Sequence, residues 1–305
     1  MTAGLERSVC FDCGRERLLG ILHPCAVPSR LPGVLIVVGG PQYRVGSHRQ
    51  FVQLARGLAA SGFPAFRFDC RGMGDSSGVF PGFEQISTDV RTAIDTFEAE
   101  MPGLAGVVVF GLCDAASAAL MYCRSDPRLR GLILANPWAR TPSGEARSYV
   151  QHYYGRRLLQ AAFWRKLLTG RLNVIAALVD FLKKLWSMRF AAGARADFRH
   201  GTFIDRMLLG LEQSRLPTLI LLSNQDLTAE EFRTLCSSSE GWRRAVGQAC
   251  VTAQNCAGDH TFSSSAARQQ MIGTCVSWLR QLGMSPAWRL AQVVEKDASK
   301  SGQLP

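Results

Sequence analysis

The chain opens on a stretch, residues 6–23, in which apolar and polar positions alternate and glycines stand at Gly14 and Gly20. A period of two predicts an antiparallel hairpin. Residues 24–32 are Pro-rich and read as a loop. The pattern then changes. Gly33-Val34-Leu35-Ile36-Val37-Val38 is wholly apolar and stops at Gly39-Gly40-Pro41. An apolar run without alternation is what a strand buried on both faces produces. Over 47–61 the spacing of Phe51, Leu54, Ala55 and Leu58 is helical, and Gly62 closes that segment as a C-cap glycine does.

The unit repeats. Residues 64–68 predict a strand ending at Asp69. Residues 84–100 predict a helix with Ile86, Val90, Ile94 and Phe97 on one face. A third buried strand is expected over 106–110, an Ala-rich helix over 114–125 and a fourth strand over 131–135. Strands alternating with helices imply right-handed crossovers and a mainly parallel sheet. After Asn136-Pro137-Trp138 the pattern breaks. Residues 140–210 contain no buried-strand signature and are helical in flavour, aromatic and basic. Strand signals return at 217–222 and 248–254, followed by an amphipathic helix over 264–282 and a Pro-, Lys- and Ser-containing tail. The expected organisation is an α/β core over 1–139 and 211–283, a helical cap inserted at 140–210, and a tail over 284–305.

Composition narrows the function classes. Net charge is +11, but no run of five or more basic residues occurs, and no zinc-finger, RRM or helix-turn-helix pattern is visible, so no nucleic-acid partner is expected. No stretch reaches the roughly 18 apolar residues of a membrane span, and the N-terminus lacks an apolar signal core, which gives a cytoplasmic expectation. Ten cysteines at irregular spacing read as reduced thiols. Cys10 and Cys13 form a single C-x-x-C with no second pair, so ordinary strand cysteines are preferred to a metal or redox site. No metal and no cofactor are expected.

Chemistry should lie at the carboxyl ends of the parallel strands. Gly111-Leu112-Cys113-Asp114-Ala115 falls between a buried strand and the Ala-rich helix. This is the nucleophile-elbow position of the α/β-hydrolase fold, where a sharp turn lifts one side chain out of the sheet and demands small residues two before and two after it. A cysteine suits the position, because a helix N-terminus favours thiolate. A buried structural cysteine is the competing reading. In this fold the order along the chain is nucleophile, acid, histidine. Asp226 follows the strand 217–222 and His260 follows the last strand, so both stand in order. Asp226 could equally cap the helix after it, His260 could be a loop histidine, and Asp259 is the fallback acid. Backbone N–H groups of Asp114 and of Gln42, in the glycine loop after the first buried strand, are the expected oxyanion donors. Arg44 and His48 stand beside that loop and could hold an anionic part of the substrate, or equally belong to a solvated helix N-terminus, with Trp138 a further contact. Asp69-Cys70-Arg71-Gly72-Met73-Gly74-Asp75 reads as a structural turn in which Arg71 could pair with Asp69 or Asp75. The cap, with Trp164, Trp186 and basic residues, reads as a lid, or as a surface for peripheral membrane contact.

The strings GGPQYRVGSHRQF, FDCRGMGDSSG, GLCDAAS and NPW, with HYYGRRL and FW in the cap, resemble the exosortase A system-associated hydrolase 1 family over about residues 10–280. More distantly the chain is similar to dienelactone hydrolases, which also place cysteine at the elbow. The resemblance implies an α/β hydrolase encoded with bacterial exosortase and exopolysaccharide systems, and it brings no settled substrate. The residues themselves support a cysteine-dependent hydrolase or acyltransferase taking a small or lipid-linked acyl substrate. The alternative is a non-catalytic accessory protein that holds a lipid or polysaccharide precursor.

Overall fold

The computed structural model describes residues 5–25, 31–40, 42–139 and 201–284. Most of the segment expected as a cap, and the tail from 285, lie outside the described residues. Among the described residues eight strands are present: β1 (Arg7–Cys13), β2 (Glu16–His23), β3 (Gly33–Val37), β4 (Ala65–Phe68), β5 (Val107–Leu112), β6 (Leu129–Ala135), β7 (Thr218–Ser223) and β8 (Val251–Cys256). Between them lie α1 (Gln50–Ala60), α2 (Ser87–Glu100), α3 (Asp114–Tyr122), α4 (Phe203–Ser214), α5 (Leu227–Ser238), α6 (Glu240–Val246) and α7 (Ser265–Met284).

The strands form one sheet in the order β1-β2-β4-β3-β5-β6-β7-β8. The pairs β1/β2 and β2/β4 are antiparallel, and all others are parallel. This is the α/β-hydrolase arrangement. The wholly apolar runs are the central strands: every residue of β3, β4, β5 and β7 is buried. Burial of each large side chain such as Leu35 or Ile36 contributes about 1.5–3 kcal/mol, which fixes these strands between two helical layers. β1 alternates exposed and buried positions, as its sequence requires. Cys10 and Cys13 therefore point to opposite faces, one exposed and one buried.

α4 begins inside the segment expected as cap and packs its Ile204, Met207 and Leu211 face into the core, beside α3. Its start is a reciprocal capping box between Thr202 and Asp205.

Strand order places the site. The chain passes from β3 to β4 on one side and later returns to β5 on the other. The loops leaving β3 and β5 diverge there, and such a switch point opens a crevice at the carboxyl edge of the sheet.

Candidate active site

Cys113 occupies the turn between β5 and α3 with φ 62° and ψ −126°, a left-handed conformation that a residue with a Cβ adopts only under constraint. The constraints are visible. Its amide donates to Ala135 O at 3.0 Å, and its carbonyl accepts from Ala116 N at 3.0 Å and Trp138 N at 3.1 Å. Gly111 permits the tight turn, since a Cβ there would stand 2.6 Å from the backbone carbonyl of Ala115. The Ser117 hydroxyl donates to Trp138 O at 2.7 Å, so the segment after β6 is tied to the elbow.

His260 lies in the loop after β8. Its Nδ1 is 2.8 Å from Asp226 Oδ2. The Cys113 side chain acts on the same ring. Burial pulls the imidazole toward neutrality, but the hydrogen bond to Asp226 and the influence of Asp226 and Cys113 outweigh it, raising the pKa to about 10. Asp226 meets both sets of partners considered for it. While it meets the imidazole, its oxygens also accept from Thr228 N at 3.0 Å and Ala229 N at 3.3 Å, capping α5. Asp259 faces elsewhere. It accepts from the amides of Thr261 and Ser263 and from the Ser263 hydroxyl, which closes the turn that carries the histidine and lowers its own pKa.

Residues 34–231 match the model of the serine aminopeptidase S33 family, Hydrolase_4. The chain belongs to this family of hydrolases. Among solved structures, this S33 hydrolase is similar to the Pyrococcus furiosus esterase Pf2001, at 13% identity and TM-score 0.62 over 91% of each chain. It is similar also to a lipase in its open form, at 15% identity and TM-score 0.58 over 92% of this chain and all of that one. Proline iminopeptidase of Mycobacterium smegmatis follows, at 14% identity and TM-score 0.56 over 90% of this chain and 98% of that one. These likenesses establish the shared fold. Comparison with curated proteins returns no match. The family name refers to a serine, whereas the elbow of this S33 hydrolase holds Cys113.

The loop after β3 lies against the elbow. Gly40 N donates to Asp114 Oδ1 at 2.7 Å, and a Cβ on Gly39 would stand 2.2 Å from that oxygen. The Gln42 amide, expected as an oxyanion donor, is spent on Gly40 O at 2.8 Å, and its side-chain oxygen accepts from Ser47 N at 3.2 Å. Arg44, expected at the substrate, is instead bound internally. Its guanidinium pairs with Asp69 and, at 2.6 Å, with Asp75. The reason is burial: Asp69 is 0% exposed and draws the nearest cation. Arg71 takes neither of those partners and forms a two-pronged pair with Asp89. His48 is exposed, and it and Arg49 adopt left-handed φ values of 52° and 59° just before α1. Trp138 is half-buried beside Cys113, through the backbone bonds given above.

One residue escaped the sequence reading. Asn136 is fully buried with φ 45°. Its Oδ1 accepts from Ser223 N at 2.8 Å, while its Nδ2 donates to Ser223 Oγ at 3.0 Å and to His260 O at 3.2 Å. It joins the ends of β6 and β7 to the histidine loop. Arg268 holds that loop from the other side, donating to the carbonyls of Phe262 and Ser263. The signal in the sequence was the N-P at the end of a buried strand, a polar residue where the apolar pattern stops.

Among the described residues no cluster of three or more His, Cys, Asp or Glu side chains could hold a metal ion, and no helix is long and apolar enough to cross a membrane.

Proposed function

We propose that this S33 hydrolase is a cysteine-dependent enzyme acting in the cytoplasm on an ester, thioester or lactone carbonyl. We propose further that it serves the exosortase-linked exopolysaccharide context its sequence strings resemble. One observation carries the reading: a single imidazole, His260, bonded to the Asp226 carboxylate and influenced by Cys113, which sits at the strained elbow.

The chemistry follows from that contact. His260 takes the Cys113 proton, and the imidazolium is stabilised by Asp226. The thiolate attacks the carbonyl carbon, an S–C bond forms, and the carbonyl π pair moves on to oxygen. Collapse of this intermediate expels the leaving group, which takes the proton from His260, and leaves an acyl-thioester on Cys113. His260 then deprotonates water, or a sugar hydroxyl in acyl transfer, for the second displacement. Trp138, adjacent to the elbow, is the proposed contact for the acyl group, and exposed His48 for a more distant polar part of a small or lipid-linked donor.

Incubation of the full chain with p-nitrophenyl butyrate and with a butyryl thioester, followed by intact and peptide mass measurement, tests this. The expected result is a butyryl adduct on Cys113 and turnover that falls to background in Cys113→Ala. Unchanged turnover in Cys113→Ala would remove the mechanism. Ligand binding that survives the substitution, with no turnover by the parent protein, would instead favour an accessory binding protein.

A further inference from the structure

The elbow carries a feature that the proposed hydrolytic mechanism does not use, a carboxylate beside the nucleophile. Asp114, immediately after Cys113, accepts the Gly40 amide on Oδ1 at 2.7 Å. The backbone around Ala115 and Asp114 also favours its charged form. The Asp114 amide is the donor that this fold offers to an oxyanion from the elbow side. From the loop after β3 the choices are few. Pro41 has no N–H, the Gln42 amide is committed to Gly40 O at 2.8 Å, and the Gly40 amide points at the carboxylate. The loop-side amide therefore points at a negatively charged group of the protein that is carried by the elbow-side donor residue itself.

We propose that the Asp114 carboxylate is a built-in occupant of the oxyanion hole, standing where the substrate's oxyanion will stand, and that Gly40 rather than Gln42 supplies the second donor. The inference rests on Cys113 being the nucleophile. Two further observations agree with it. Gly39 leaves the carboxylate its space, since a Cβ there would lie 2.2 Å from Oδ1. The carboxylate is also held in an unfavourable place: burial raises its pKa in spite of the Gly40 amide it accepts. A carboxylate that is poorly solvated and bound by an amide can be displaced by a group that makes the same hydrogen bond. An anionic intermediate and an anionic side chain cannot share that donor, so Asp114 must swing away before the intermediate forms.

The test separates the oxyanion hole from the thiolate. An alkyl trifluoromethyl ketone is attacked by a thiolate to give a tetrahedral adduct: an S–C bond forms and the carbonyl π pair becomes an oxyanion that needs the donors. Iodoacetamide is attacked by the same thiolate at carbon with loss of iodide and needs no such donors. Both are measured on the full chain, on Asp114→Asn and on Asp114→Ala, with alkylation read at Cys113 on the pH plateau where the thiol is fully ionised. The expected result is ketone inhibition tighter by about tenfold or more in Asp114→Ala, a part of the roughly 10²–10³ that one oxyanion donor is worth, with alkylation changed less than about threefold. Asp114→Asn, which keeps the shape and loses the charge, should tighten ketone binding by at least about threefold, and decides alone if the alanine variant does not fold. Ketone affinity unchanged or weakened in the variants, with Cys113 still alkylated, overturns the proposal and makes Asp114 a tether for the glycine loop. Cys113 unalkylated in all three proteins removes the nucleophile reading, and this inference with it.

Discussion

Asp226 makes two sets of contacts, and two substitutions separate the duties proposed for them. Its carboxylate caps α5 through Thr228 N and Ala229 N and also receives the His260 Nδ1–H. An Asp-to-Ala change at a helix N-cap costs about 0.5–2 kcal/mol, typically about 1, whereas Asn caps as well as Asp does. Asp226→Ala should therefore lower Tm by roughly 2–4 °C for each kcal/mol lost in a chain of this size, and Asp226→Asn by less. Activity should not follow stability. Asn keeps the cap but loses the negative charge that stabilises the imidazolium and fixes the tautomer, a loss of roughly 10⁴-fold in kcat in serine hydrolases. Both variants should then be nearly inactive toward a thioester while differing in thermal stability. The assay is thioester turnover at pH 7.5 beside a thermal melt of each protein. Activity in Asp226→Asn within about tenfold of the parent would refute the catalytic duty, and equal melting of the two variants would refute the cap.

Four further outcomes follow from the geometry. Asn136→Ala strips the acceptor from the buried Ser223 amide and frees the His260 carbonyl, so it should cost at least about 2 kcal/mol in urea denaturation and lower turnover through the misplaced histidine. Gly111→Ala forces a Cβ to 2.6 Å from backbone atoms of Ala115, and should destabilise by more than about 2 kcal/mol because backbone cannot step aside. Arg44→Ala leaves fully buried Asp69 without its cation and should cost about 3 kcal/mol or more of stability. A change confined to KM, with stability intact, would contradict that internal role. The pKa of His260 is raised from 6.5 to about 10 on folding, so its contribution to stability is fully present below pH 6.5 and is lost as pH rises through about 10. Denaturation of the parent and of His260→Gln from pH 6 to 11 should show the difference between them shrinking over that window.

The sheet was legible because its central strands are uninterrupted apolar runs that can be buried only on both faces, as β3, β5 and β7 are. The elbow was legible because small residues at 111 and 115 flank a polar residue between a strand and a helix. What escaped detection depends on contacts remote in sequence. The turn after β4 offers Arg71 beside Asp69 and Asp75, the natural local pairing, yet Arg44 reaches both from 25 or more residues away and Arg71 turns to Asp89. Asn136 has partners 87 and 124 residues downstream, so nothing near it announces a role. The short helix α6 was missed for another reason. Its seven residues hold by burying Trp242 against Phe232 of α5, a tertiary contact rather than a repeating local pattern.

The central claim, a thiolate–imidazole pair at the elbow, is met most directly by alkylating the full chain with iodoacetamide across pH 5–9 and reading each cysteine by mass spectrometry. The other nine cysteines serve as internal controls. The account predicts that Cys113 labels rapidly well below pH 8 and that His260→Ala abolishes this advantage. Labelling of Cys113 no faster than that of the other exposed and half-buried thiols, with or without His260, would contradict it.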